Sequence, residues 1–171
     1  MRSQFPSAPA AIAAIAIAAL AAVAPAHAAG ALSVTREATV DSTPDTVWKL
    51  VGAFNGLDVW HPAVKGSTVK GSVTKPGAVR TLDLGGGATI VEKLTAFNPA
   101  ARSYSYAILS SPLPVKHYAS TLTVSAAEGG KARITWTSTF DASDAPDAKA
   151  TEVVQGIYDA GLARVVADFK N

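Results

Sequence analysis

Hydrophobic and polar positions alternate loosely from Leu32 to Val40 in a Val- and Thr-rich stretch, which predicts a first strand. Ser42-Thr43-Pro44-Asp45 then carries the signals of a helix start. Thr43 offers a capping oxygen, Pro44 suits the first helical position, and Asp45 favours the positive end of the helix dipole. Val47, Leu50, Val51 and Phe54 follow at helical spacing, so this short helix buries one face. A second helical turn is expected from Asn55 towards His61. It stops at Pro62, because a residue preceding proline avoids helical torsions.

Beyond Pro62 the period shortens to two. Val64 to Val69, Val79 to Leu84, Thr89 to Phe97, Ser103 to Ile108, Val115 to Ala126 and Ala132 to Asp141 read as six further strands. Clusters of Gly, Pro, Asn and Ser separate them, and connections this short imply an antiparallel meander. A long helix closes the chain, capped by Ser143 or Asp144, with Pro146 in its first turn and its end near Phe169. Val153, Val154, Ile157, Gly161, Val165 and Phe169 form its expected buried stripe. The class is therefore α+β: a seven-stranded antiparallel sheet, one face covered by the only element long enough to cover it.

Strand parity assigns the faces. Arg80, Leu82 and Leu84 share one side of their strand, and Ala88, Ile90, Glu92 and Leu94 share one side of the next. With Gly86 at the centre of the hairpin, Arg80 lies opposite Glu92, so an inward cross-strand ion pair is expected. Tyr104, Tyr106 and Ile108 also face inward, as do Tyr118, Ser120, Leu122 and Val124, and then Ile134, Trp136, Ser138 and Phe140. This is too much polarity for a solid core, since an unpaired buried polar group costs about 1–3 kcal/mol. A mainly apolar cavity with a few convergent polar groups accounts for it. The plainer readings stand beside this one: a structural ion pair, and tyrosines whose hydroxyls reach the surface.

Composition narrows the function. Arg2 precedes an apolar run from Ala10 to Val23, Pro25 breaks the run, and Ala26-His27-Ala28 offers a small-x-small cleavage site. The run is too short to span a bilayer, which takes roughly 20 residues, and fits a secretory signal peptide over residues 1–28. Residues 29–171 then form one exported domain, periplasmic or secreted, with no membrane insertion after cleavage. One of the 15 basic residues, Arg2, leaves with the leader, so the remainder is nearly balanced against 13 acidic ones. No basic block survives, which argues against a nucleic-acid partner. Cysteine is absent, which removes thiol chemistry, iron–sulfur clusters and Cys-based zinc sites.

Several local motifs, taken in order, resemble the START-like helix-grip superfamily (SRPBCC), and within it the bacterial polyketide cyclase/dehydrase-type proteins. They are Pro44-Asp45-Thr46-Val47-Trp48, Asp58-Val59-Trp60-His61-Pro62, Gly77-Ala78-Val79-Arg80, Glu92-Lys93-Leu94, Tyr104-Ser105-Tyr106 and Pro112-Leu113-Pro114. The resemblance covers Val34 to Val166. It implies a sheet gripping the C-terminal helix around a ligand cavity, with the loops at Gly85 to Gly87 and Ser110 to Pro114 bordering its mouth. It also points to exported accessory proteins of methanol oxidation, and to an enzyme of this fold that uses an inward Arg and Glu, matching Arg80 and Glu92 here.

The chemistry leaves three functions open. The first is a binding protein for a small hydrophobic molecule, its pocket lined by Trp60, His61, Arg80, Glu92, Tyr104, Tyr106, Tyr118, Trp136 and Tyr158. The second is a cofactor-free isomerase, cyclase or dehydratase, in which Arg80 holds an oxyanion and Glu92 moves a proton. The third is an accessory protein docking on a periplasmic oxidoreductase. His61 reads either as a general base or as a histidine fixing its turn by a backbone hydrogen bond, and His117 is expected to be exposed. No cofactor and no metal are expected, because the two histidines beyond the expected leader, without carboxylates at ligand spacing, do not make a site. The triple glycine precedes neither Lys-Ser/Thr nor a helix, and no Gly-x-Ser-x-Gly elbow occurs, so phosphate-loop and serine-hydrolase readings fall away.

Overall fold

The structure, a computed structural model, describes residues 31–170; the expected signal peptide lies outside the described residues. Strand β1 (Leu32–Val40) leads into α1 (Pro44–Val51) and α2 (Leu57–Trp60). Then come β2 (Gly66–Lys70), β3 (Val79–Gly85), β4 (Ala88–Asn98), β5 (Ser103–Ser110), β6 (Val115–Ala126), β7 (Ala132–Ala142) and α3 (Asp147–Asp168). The seven strands form one antiparallel sheet in the order β1-β7-β6-β5-β4-β3-β2. The meander runs in sequence from β2 to β7, and β1 closes onto β7. Helix α3 lies across the concave face against β1 and β7, with α1 and α2 filling the end it leaves open. This is the helix-grip architecture that the order of elements implies. Among the described residues no helix is long and apolar enough to cross a membrane.

Local chemistry explains the elements. Thr43 caps α1 by accepting the amide proton of Thr46 at 3.3 Å, and Pro44 and Asp45 occupy its first turn. Arg80 pairs with Glu92 in the β3–β4 register, as the hairpin count requires. Glycines 85 to 87 all take positive φ, between 63° and 83°, which is why that turn is built of glycine. In β6 a bulge between Lys116 and Ala119 lets both Val115 and Tyr118 face inward despite their odd spacing. His117 sits in that bulge at φ 52° with its side chain exposed and paired to Asp141.

Several boundaries differ from the sequence expectation by one or two residues, α2 (Leu57–Trp60) among them, and two of these shifts change what a residue does. Val64 lies before β2, where it is buried as part of the turn after α2 rather than as a strand residue. Pro146, not Ser143 or Asp144, occupies the cap position of α3. Asp144 takes a left-handed φ of 56°, and the Ser143 hydroxyl donates to the Asp144 carboxylate rather than accepting a helix amide proton. The buried stripe of α3 is also rotated. Ala150, Val154, Tyr158, Gly161, Leu162 and Val165 are buried, whereas Val153, Ile157 and Phe169 are only half-buried. Ile157 borders a cavity between sheet and helix, which leaves it half-buried.

Gly161 sets how closely α3 approaches the sheet. A Cβ at this position would meet His61 Cδ2 at 2.6 Å and one ring carbon each of Trp60 and Trp136 at 3.1 Å. Gly156, one and a half turns earlier, has nothing within 4 Å of such an atom. Gly161→Ala should therefore destabilise the fold by about 1–3 kcal/mol through overpacking. Gly156→Ala should be neutral or stabilising by up to about 1 kcal/mol through helix propensity. Urea denaturation of the two variants reads the difference, and equal midpoints would contradict the close approach.

Candidate functional site

The site begins with a charge that water does not reach. Arg80, the second residue of β3, is 0% exposed. Its Nε donates to Glu92 Oε2 at 2.5 Å, and its Nη1 donates to the Phe54 carbonyl in the turn between α1 and α2. The guanidinium lies over the Phe54 ring at 4.4 Å and the Tyr106 ring at 4.9 Å, so aromatic faces take the place of solvent. Burial alone would lower the Arg80 pKa, but Glu92, with Tyr104 and Tyr106, outweighs it and the net shift is upward. Nη2 is buried without a hydrogen-bond partner.

Glu92 is the opposite case. It is 4% exposed, and its opening is onto a cavity between the sheet and α3. Oε2 is held by Arg80; no hydrogen bond reaches Oε1 among the described residues. The cavity has a volume of about 150 Å³. Leu82, Leu84, Ile90 and Ile108 form its sheet wall, Val154, Ile157 and Tyr158 come from α3, and Leu57, Ala63 and Val64 come from α2 and its following turn. Leu113 adds the loop before β6, one of the two loops expected at the mouth; the glycine turn itself supplies no lining residue, and Leu84 beside it belongs to β3.

A second polar cluster lies beside this pair, and its proton directions follow from its partners. Ser120 donates its only hydroxyl proton to the Thr137 carbonyl at 2.8 Å. It must therefore accept from Tyr158, 2.9 Å away, and Tyr158 in turn accepts from Tyr118. Trp136 Nε1 donates to both Ser120 and the Tyr106 oxygen, at 3.1 and 3.0 Å. Tyr106 is left with an unused O–H proton, and its side chain lines the cavity. Ser120 was inward by parity but was not among the expected site residues; a small serine gives no sequence signal of being a hub.

His61 fixes a turn. Its Nε2 faces the Ile157 carbonyl at 2.9 Å, and its Nδ1 accepts the Ala63 amide proton at 3.2 Å. A backbone N–H can only donate, so the ring is the neutral Nε2–H tautomer with no free lone pair. Burial pushes its pKa down, and the Arg80 charge adds to this. The general-base alternative for His61 loses its acceptor atom.

Of the nine expected pocket residues, His61, Glu92, Tyr106, Tyr118 and Tyr158 line the cavity. Trp60, Arg80, Tyr104 and Trp136 lie behind its walls. Trp136 stacks on Tyr158 at 4.2 Å and meets Trp60 edge-on at 5.5 Å, while Tyr104 packs against Phe54 and Trp48. Arg80 thus braces Glu92 and offers the cavity no hydrogen-bond donor, contrary to the expected oxyanion contact. The physical reason is depth: Arg80 is fully buried between the Phe54 and Tyr106 rings and is not among the residues that border the cavity. Among the described residues no group of three His, Asp or Glu side chains is arranged around a metal position.

Two outcomes test this electrostatic picture. Arg80→Met should cost about 3–5 kcal/mol by leaving Glu92 uncompensated, whereas Arg80→Met with Glu92→Leu should recover much of that loss; additive losses in denaturant titrations would contradict the pairing. All four tyrosines of the chain are buried with raised pKa values, burial being the largest cause in each. Their neutral forms favour the folded state, so this stability is complete below the ordinary tyrosine pKa near 10 and is lost as pH rises through the folded values. Phenolate absorbance should accordingly appear above pH 10 together with loss of near-ultraviolet dichroism. A tyrosine titrating near 10 in the folded protein would be the contrary result.

Comparison with known proteins agrees with this architecture. No curated protein matches the sequence. Among solved structures, the XoxI protein of Bacillus cereus is 32% identical, with 80% of this chain and 94% of that one covered at a TM-score of 0.75. A putative uncharacterized protein of Bacillus thuringiensis is also 32% identical, covering 81% and 98% at the same TM-score. A Thermobifida fusca protein is 27% identical, covering 80% and 92% at a TM-score of 0.72. The family model described as polyketide cyclase / dehydrase and lipid transport matches residues 31–170, and the chain belongs to that family of helix-grip proteins.

Proposed function

We propose that this chain is an exported binding protein that encloses a small hydrophobic molecule between its sheet and α3. The observation that carries the reading is the cavity itself: about 150 Å³, walled almost wholly by aliphatic and aromatic side chains. Apolar space of that size binds a molecule of roughly benzene's bulk. Its rim residues Leu84, Ile108, Leu113 and Ile157 are half-buried, so the way in is apolar too. The leader-like residues 1–28 support export, which would keep the domain apart from ATP and reduced nicotinamide.

One observation favours a second reading, a cofactor-free isomerase or dehydratase. Glu92 presents an unpartnered carboxylate oxygen to the cavity while Arg80 holds the other oxygen in place. Such a group could carry a proton between two atoms of an enclosed ligand. Arg80 would act there by positioning Glu92.

Solvent extraction of protein purified from its native compartment, followed by mass spectrometry, tests the binding reading. A small apolar compound should co-purify in near-stoichiometric amount. A ligand-free protein that also fails to take up any small apolar probe would overturn it. For the catalytic reading, turnover of the extracted compound should fall at least about a hundredfold in Glu92→Gln; unchanged turnover removes Glu92 from the chemistry.

A further inference from the structure

The proton directions at the cavity wall restrict the ligand further than its apolar lining does. Tyr158 gives its proton to Ser120, Tyr118 gives its proton to Tyr158, and His61 uses both ring nitrogens on backbone groups. Arg80 is fully buried and does not border the cavity, so its donors are out of a ligand's reach. What remains to a ligand is one unused donor, the Tyr106 O–H, and one strong unused acceptor, Glu92 Oε1. The geometry points to an uncharged, hydroxyl-bearing hydrophobic ligand of the phenol or compact-alcohol class, recognised by Glu92 and Tyr106. Its hydroxyl proton goes to Glu92 Oε1, and a ligand oxygen accepts from Tyr106.

This inference rests on the cavity being a ligand site and adds the polarity of what enters. Two exclusions follow. A carboxylate or phosphate ligand would face Glu92 with no accessible cation to offset the repulsion, so fatty acids and other anions are rejected. A pure hydrocarbon would leave Glu92 Oε1 and the Tyr106 proton cut off from water without a partner, so it binds less well than its hydroxylated counterpart.

Phenol, anisole, toluene and benzoate separate these terms, being similar in size and differing in what they donate, accept or carry as charge. Calorimetric titration of the purified protein at pH 7 should rank phenol first, anisole and toluene weaker, and benzoate without measurable binding. Tyr106→Phe should weaken phenol by about tenfold while leaving toluene unchanged. Its fold is protected because Trp136 Nε1 keeps its bond to Ser120, and a thermal midpoint within a few degrees of the parent confirms that. Toluene or anisole binding as tightly as phenol overturns the hydroxyl assignment and leaves the hydrophobic-binding reading standing. Benzoate binding as tightly as phenol overturns the rejection of anions. Phenol affinity unchanged in Tyr106→Phe removes Tyr106 from recognition. Failure of all four probes overturns the cavity reading and this inference with it.

Discussion

The Arg80 guanidinium is the point on which the rest of the molecule is hung. An unscreened charge inside a protein is costly, and it persists only where its surroundings satisfy it. Here the surroundings come from three places in the chain: Glu92 on the neighbouring strand, the Phe54 carbonyl between the short helices, and the rings of Phe54 and Tyr106. Satisfying one side chain thus ties the β3–β4 hairpin to the α1–α2 turn and to β5. Because Arg80 is closed off and Glu92 is not, the pair is asymmetric: a buried cation stabilises and aims a carboxylate that faces the cavity.

The helix side of the cavity is held by a different principle. Gly161 lets α3 settle directly on Trp60, His61 and Trp136. His61 then reaches the Ile157 carbonyl of α3, and Tyr158 one residue later stacks on Trp136 and bonds to Ser120. Close contact at Gly161 leaves space one to two turns earlier, where Val154, Ile157 and Tyr158 border the cavity together with Leu82 and Ile90. The cavity is therefore a consequence of where α3 is tight, and its polarity is a consequence of which hydroxyl protons the packed end has already engaged.

Those two constraints give the functional reading its chemistry. A cavity with aliphatic walls and a carboxylate fixed by a hidden arginine favours an uncharged guest that has a proton to donate. The same arrangement would serve proton transfer on that guest, so the proposed binding reading and the catalytic one rest on the same residues. Members of this fold differ in function through the few groups that face the interior, so the argument must rest on those groups and not on the architecture.

Much of this was legible from the linear pattern. Period-two alternation placed Arg80, Glu92, Tyr104, Tyr106, Tyr118, Ser120 and Trp136 on the inner face, and the hairpin count paired Arg80 with Glu92, because strand geometry turns parity into direction. Helix boundaries were less legible: Pro146 rather than Ser143 or Asp144 caps α3, and its buried stripe runs through Tyr158 and Leu162 rather than Ile157 and Phe169. That stripe depends on which neighbour covers each turn, which no local rule contains. Only the tertiary structure decided that Arg80, Trp60, Tyr104 and Trp136 stand behind the wall while Glu92, Tyr106 and Tyr118 stand in it. Parity says that a side chain points inward; how far inward space extends, and which protons are already taken, is set by elements distant in the chain that meet only on folding.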